Sequence, residues 1–252
     1  MLKLFDHPAL MFAIFLPAFW GLASIGALFR RRMQEQSPAH DDLTFLLGSA
    51  LTLLGLIIGF TFSMAVSRYD QRKNLEEEEA NAIGTEYARA ELLPAEDAAK
   101  VRALLINYVD QRLLNYTTRN SENLKQISLE TSRLQNEMWS AVVKPAQAQP
   151  TPLVTLVVSG MNDVLNSQGY TQAAWLNRIP PAAWMLLLLI CLFCNVLVGY
   201  VVRGKSAFVL LILPIALAIC LSLIADIDST RWGLIHLKPQ NLEILRQDLS
   251  AQ

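Results

Sequence analysis

Four stretches of this chain are continuously apolar, and the sequence between them repeats at helical spacing. Pro8 to Phe29, Leu43 to Val66, Ala182 to Val202 and Ala207 to Ala225 contain no charged residue. A helix that crosses the hydrocarbon of a bilayer needs about 20 apolar residues, so each run can span. The first run ends in Arg30-Arg31-Arg32 without a small-residue cleavage pattern, and its apolar core is too long for a signal peptide. It is read as a retained span. The segments 30–42 and 203–206 join the runs into two hairpins, with a long polar segment between the hairpins.

That polar segment also reads as helix. The second run continues through Ser67, Arg68 and Tyr69 to about Leu93, where Pro94 stops it. In 95–119 the apolar positions Val101, Leu104, Leu105, Tyr108, Val109, Leu113 and Tyr116, with the stem of Arg112, recur at three and four residues. In 121–143, Leu124, Ile127, Thr131, Leu134 and Met138 form a short heptad-like seam, which predicts packing inside a helical bundle. The proline-rich stretch Pro145 to Pro152 predicts a connector. A last helix, Leu153 to about Leu176, leads through Ile179-Pro180-Pro181 into the third span. No strand pattern is present.

The predicted fold is therefore all-α: an integral membrane protein with four transmembrane helices in two hairpins and a helical extramembrane domain between them. The expected division is hairpin 1 in 1–67, the helical domain in 68–181, hairpin 2 in 182–225 and a C-terminal tail in 226–252. The continuous second helix is expected to couple membrane and domain.

Composition agrees with this division. Charged residues make up 17% of the chain, against roughly 25% in ordinary soluble domains. The net charge of −1 leaves no basic footprint for nucleic acid. Loop charges Arg30, Arg31, Arg32, Arg203 and Lys205 place the short loops in the cytoplasm by the positive-inside rule. Arg68, Arg72, Lys73 and Arg178, with Arg231, Lys238 and Arg246 in the tail, argue the opposite way. The side of the helical domain stays open.

Catalytic patterns are missing. There is no P-loop, no glycine-rich dinucleotide turn and no G-x-S-x-G, so no enzyme, catalytic residue, cofactor or metal is expected. His7, His40 and His236 lie near three different span ends without partner spacing and read as solvated or interfacial. Cys191 and Cys194 form a C-x-x-C inside a span with no second ligand pair, and read as small packing residues. Cys220 also lies in an apolar run.

Three features carry the functional reading. On the second span, Gly48, Thr52, Gly55, Gly59, Phe62 and Val66 share one stripe. Gly55 and Gly59 form a G-x-x-x-G, which favours close packing against the first or fourth span. The alternative is a pore face, lined by Gly55, Gly59, Phe62 and Val66, with Phe62 and Val66 as an apolar constriction that gates by dewetting. Second, the acidic run 76–79 reads as a solvated collar paired with Arg72 and Lys73. In a ring of subunits, Arg68, Arg72, Glu76 and Glu79 would instead supply charge at a pore mouth. Third, Asp226, Asp228, Arg231 and Gly233 form a polar turn after the last span. Its acids are expected to accept from backbone N–H groups or to pair with Arg231, with Trp232 at the membrane interface.

Two segments carry a family resemblance. GFTFSMAVSRYDQRKNLEEEEANAIGTEYARAELLP and LIADIDSTRWGLIHL resemble signatures of a bacterial family of membrane proteins with a bestrophin-like domain. The resemblance covers nearly the whole chain and implies the bestrophin-like helix order. A more distant similarity links it to bestrophins proper, which are pentameric chloride-selective channels whose second helix lines the pore. Gly59-Phe60, Arg68-Tyr69 and the Arg72-Lys73 step resemble that pattern, and Asp226 and Asp228 occupy the place of the acidic segment after the last span. The chain departs from bestrophins in three respects. It has no long acidic calcium clasp, its neck is glycine-rich, and its glutamate run opposes anion entry.

The resemblance implies a homo-oligomeric ion channel, as a pentamer in the bacterial inner membrane. Its partners would be the lipid bilayer, further copies of itself and inorganic ions. The alternative is a non-conducting scaffold or signalling protein whose helical domain binds a partner.

Overall fold

The computed structural model describes residues 7–32, 39–202 and 208–251. Among them the chain forms eight α-helices: α1 (Pro8–Arg32), α2 (Ala39–Arg89), α3 (Ala95–Thr117), α4 (Ser121–Ala148), α5 (Pro152–Leu176), α6 (Pro181–Val201), α7 (Val209–Asp228) and α8 (Gln240–Ala251). A 3-10 turn at Ala90–Leu92 closes α2. The all-α expectation holds, and four helices are long and apolar enough to cross a membrane. Arg203 and Lys205 of the second short loop lie outside the described residues. The chain divides into two compact units. One comprises the segment up to Arg68 together with Arg178–His236, and the other comprises Tyr69–Asn177 and the chain from Leu237 onward.

In the membrane unit, α1 packs against both α6 and α7. Its buried residues Met11, Phe15, Phe19, Ala23 and Gly26 recur every three or four positions, so they form one face. Phe15 and Phe19 stack with centroids 5.5 Å apart. The tightest approach joins α1 to α6 through two glycines. A Cβ at Gly26 would strike the carbonyl of Val196, and one at Gly199 would strike the carbonyl of Ala23. Small residues let two helix backbones come this close. Leu47 of α2 packs with Val198 and Val201 of α6. Leu28, Phe45, Phe60 and Leu189 are exposed, as lipid-facing side chains should be.

The helical unit packs its core from Ile83, Val101, Leu105, Tyr108, Met138, Val142, Val157 and Met161, among others. On the α4 seam, Ile127, Thr131, Leu134 and Met138 are buried, while Leu124 is half-buried. Local signals set the helix starts. The Asn120 side chain accepts from the N–H of Glu122 at 2.8 Å. Thr151 accepts from the N–H of Val154 at 3.3 Å, with Pro152 in the first turn of α5.

Two elements differ from the sequence pattern. Helix α4 does not stop before Pro145 but runs through it to Ala148, leaving a shorter connector. Pro145 is buried on the same face as Met138, Ala141 and Val142, so packing outweighs the lost backbone bond. The C-terminal segment is also more than a tail. From Leu237 it belongs to the helical unit, with Leu242 and Leu249 of α8 buried in the core.

Candidate functional site along helix α2

Helix α2 is unbroken from Ala39 to Arg89 and contributes to both units. Apart from Ala80, its buried residues follow one line: Leu47, Leu54, Thr61 and Ala65, then Arg72, Glu76, Glu79, Ile83 and Glu86. Steps of three, four and seven hold these residues on one face of a helix. The same face is thus mainly apolar in the membrane half and ionic in the helical unit.

The small-residue stripe lies on a different face. Gly48, Gly55 and Gly59 are exposed, and a Cβ at any of them would meet no atom of the described residues within 4 Å. The glycines therefore do not serve packing against the first or fourth span within one chain. Phe62 is 38% exposed and Val66 is half-buried. Arg68 is half-buried, and one guanidinium nitrogen lies 3.5 Å from the sulfur of Met64.

The acidic run separates into two pairs. Glu77 and Glu78 are exposed, whereas Glu76 and Glu79 have no accessible surface. The solvated collar is corrected at those two positions, because successive residues on a helix point in different directions. Arg72 is 2% exposed. Arg72, Glu76 and Glu79, read from the sequence as pore-mouth charges, are all buried within the chain.

Glu79 is the centre of a network. Arg112 on α3 binds it through two nitrogens, the second at 3.2 Å. The Tyr116 hydroxyl lies 3.3 Å from Glu79 Oε2, and the Thr171 hydroxyl of α5 donates to the same oxygen at 3.2 Å. Burial works against the Arg112 charge, but the adjacent Glu79 carboxylate outweighs it and raises the pKa. Burial, reinforced by Glu79, raises the pKa of Tyr108 and Tyr116, so both remain neutral phenols. Tyr116 also meets Trp175 edge-on, with centroids 5.1 Å apart.

Glu76 holds the start of α8. Its carboxylate accepts from the Leu242 N–H at 2.9 Å and from the Asn241 amide at 2.7 Å. Burial raises its pKa, and these two donors oppose the rise. An acid at a helix N-terminus satisfies N–H groups that have no partner within the helix. Arg246 on α8 adds an ion pair with Asp110 at 2.5 Å. Residue spacing carries no sign of these contacts, since Glu76 and Leu242 are 166 positions apart.

In the turn after the last span, Asp226 accepts from the N–H groups of Leu234 and Ile235, at 2.8 and 2.9 Å. Gly233 has φ +117°, and a Cβ there would strike the Asp226 carboxylate. Asp228 accepts from the Ile179 N–H at 3.1 Å and pairs with Arg178 at 3.4 Å. The acid at 228 thus ties the end of α7 to the segment entering α6, through a basic partner that its own turn does not contain. Trp232 lies against His7, with ring centroids 5.0 Å apart. Cys191 and Cys194 are buried free thiols. Among the described residues, no group of three or more His, Cys, Asp or Glu is arranged to hold a metal ion.

These features define a multi-pass helical membrane protein whose longest helix serves both units. Residues 12–242 match the family described as Bestrophin-like domain, and the chain belongs to that family. Its fold is similar to that of a bacterial Bestrophin homolog from Klebsiella pneumoniae. The structure of that protein phased on zinc matches with TM-score 0.70 and 15% identity, covering 96% of each chain. One point variant of the homolog matches with TM-score 0.71 and 13% identity, covering 94% of this chain and 98% of that one. A second matches with TM-score 0.70 and 15% identity, covering 97% and 99%. No curated protein matches the chain.

Proposed function

We propose that this protein is the subunit of a homo-oligomeric ion channel of the bacterial cytoplasmic membrane, with α2 facing the axis. One observation carries the reading: the face of α2 bearing Gly48, Gly55 and Gly59 is left open by the other described residues. A glycine-rich face left open among the described residues suits a narrow conduit or a neighbouring subunit. Family membership adds to this, because the resemblance to bestrophins implies an ion-conducting pentamer. In this reading Gly55 and Gly59 line the conduit. Phe62 and Val66 form its apolar narrowing, which opens and closes by wetting. Arg68 supplies charge at the end of the membrane segment. Arg72, Glu76 and Glu79, which are buried, have no part in the conduit.

The test is ion flux through purified protein in liposomes under chloride, potassium and sodium gradients, with Phe62→Ala and Val66→Ala alongside. The expected result is selective flux that both variants increase. Flux at the empty-liposome level from all three proteins, with a ring oligomer confirmed, overturns the proposal. It would transfer the function to the helical domain as a binding module.

A further inference from the structure

Glu86 is the last carboxylate on the buried face of α2. It has no accessible surface, and neither carboxyl oxygen has a hydrogen-bond partner among the described residues. Buried polar groups are almost always paired, because an unpaired one forfeits its hydration. Glu76 and Glu79 follow that rule and Glu86 does not.

Its surroundings explain how it is accommodated. The carboxyl group lies against the backbone of α5 at Gly160, where an added Cβ would strike Glu86 Oε2 and crowd the Arg89 guanidinium. Glycine at 160 therefore leaves the space that the acid occupies. Two charged groups act on it: Arg89 from its own helix and Asp163 from α5. Burial raises its pKa to about 8, Asp163 adds to the rise and Arg89 opposes it. The neutral acid is thus the form that fits the closed interface near neutral pH.

We propose that Glu86 is a proton-binding site that controls the packing of α5 on α2. The protonated acid lets the helices close at Gly160, and loss of the proton loosens that contact. The direction follows from linkage. The acid holds its proton up to about pH 8 in the closed state, but only to about pH 4.5 once an opening admits water. Between those values the open state releases a proton that the closed state keeps, so opening becomes easier as pH rises. Above about pH 8 both states are ionised and the dependence ends. This proton site lies wholly within the helical unit and does not depend on ion conduction.

The experiment is amide hydrogen exchange on the full-length protein from pH 5 to pH 9, read at residues 157–164 of α5 and corrected for intrinsic exchange. Protection should fall by up to about tenfold per pH unit and level off at about pH 8, the signature of a single linked proton. Glu86→Gln, which mimics the neutral acid, should remove the dependence. Asp163→Asn should move the levelling point to lower pH, and Arg89→Gln should move it to higher pH. These two variants leave the acid in place, so the test survives if Glu86→Gln fails to fold. Flat protection in the unsubstituted protein overturns the proposal. So does the same fall in Glu86→Gln, or a levelling point that neither charge variant moves.

Discussion

Arg112 on α3 grips the Glu79 carboxylate of α2 with two nitrogens, and neither side chain is more than 3% exposed. An ion pair this deep sets the register of α2 on α3, because neither charge has water to fall back on. Removing one member of such a pair costs about 3–5 kcal/mol, since the other is left buried and unpaired. Glu79→Leu and Arg112→Met should each destabilise the protein on that scale. The double variant should cost clearly less than the two singles together. Thermal unfolding of the four proteins in one detergent measures this. Strictly additive losses would mean that the pair does not act as a unit.

Glu76 is expected to do for α8 what a capping side chain does for any helix start. Glu76→Ala removes the acceptor for the Leu242 N–H and the Asn241 amide. A lost cap costs about 0.5–2 kcal/mol. A helix of only 12 residues depends on such support, because short helices are marginal without it. Limited proteolysis should cut within 240–251 faster in the variant, while α3 and α4 keep their resistance. Unchanged cleavage of α8 would show that Leu242, Leu249 and Arg246 hold it without the cap.

The architecture is legible in the sequence where the physics is local. Charge-free runs give the spans, and periods of three and four give α3 and α4. The end of α4 escapes such reading because a proline signals a helix end locally, while the buried face through Ala141, Val142 and Pro145 is a tertiary fact. The solvated collar fails for the same reason. Consecutive carboxylates look solvated until Arg112, Thr171 and Asn241 come within reach from distant segments. One signal is available in the spacing. Leu47, Leu54, Thr61 and Ala65 extend to Arg72, Glu76, Glu79 and Glu86 on a single helical face, so the register of the apolar positions carries on into the charged half.

Gly233 is the one glycine at positive φ among the described residues, at +117°. Alanine there would be strained twice, by its backbone conformation and by collision with the Asp226 carboxylate. That carboxylate would have to leave the Leu234 and Ile235 N–H groups. Strain at one such position costs on the order of 1–3 kcal/mol, so Gly233→Ala should lower the unfolding temperature. Asp226→Asn keeps one acceptor oxygen and should lower it less. If Gly233→Ala melts with the unsubstituted protein, the turn does not depend on this geometry.

The glycines of the membrane unit fall into two classes, and substitution should separate them. Gly26 and Gly199 lie where α1 and α6 touch backbone to backbone, so Gly199→Ala must push the helices apart. Overpacking of that kind costs about 1–3 kcal/mol, and it should show as lower thermal stability of the individual subunit. Gly55 and Gly59 have open space at the Cβ position, so Gly55→Ala and Gly59→Ala should not destabilise the subunit. Alanine is also the better helix former, by about 1 kcal/mol at an unstrained helical site. Any loss in these two variants should therefore appear in assembly or ion flux, measured by native mass and liposome assay. If Gly59→Ala instead destabilises the isolated subunit as much as Gly199→Ala, the α2 stripe is an internal packing face and its place on a channel axis is lost.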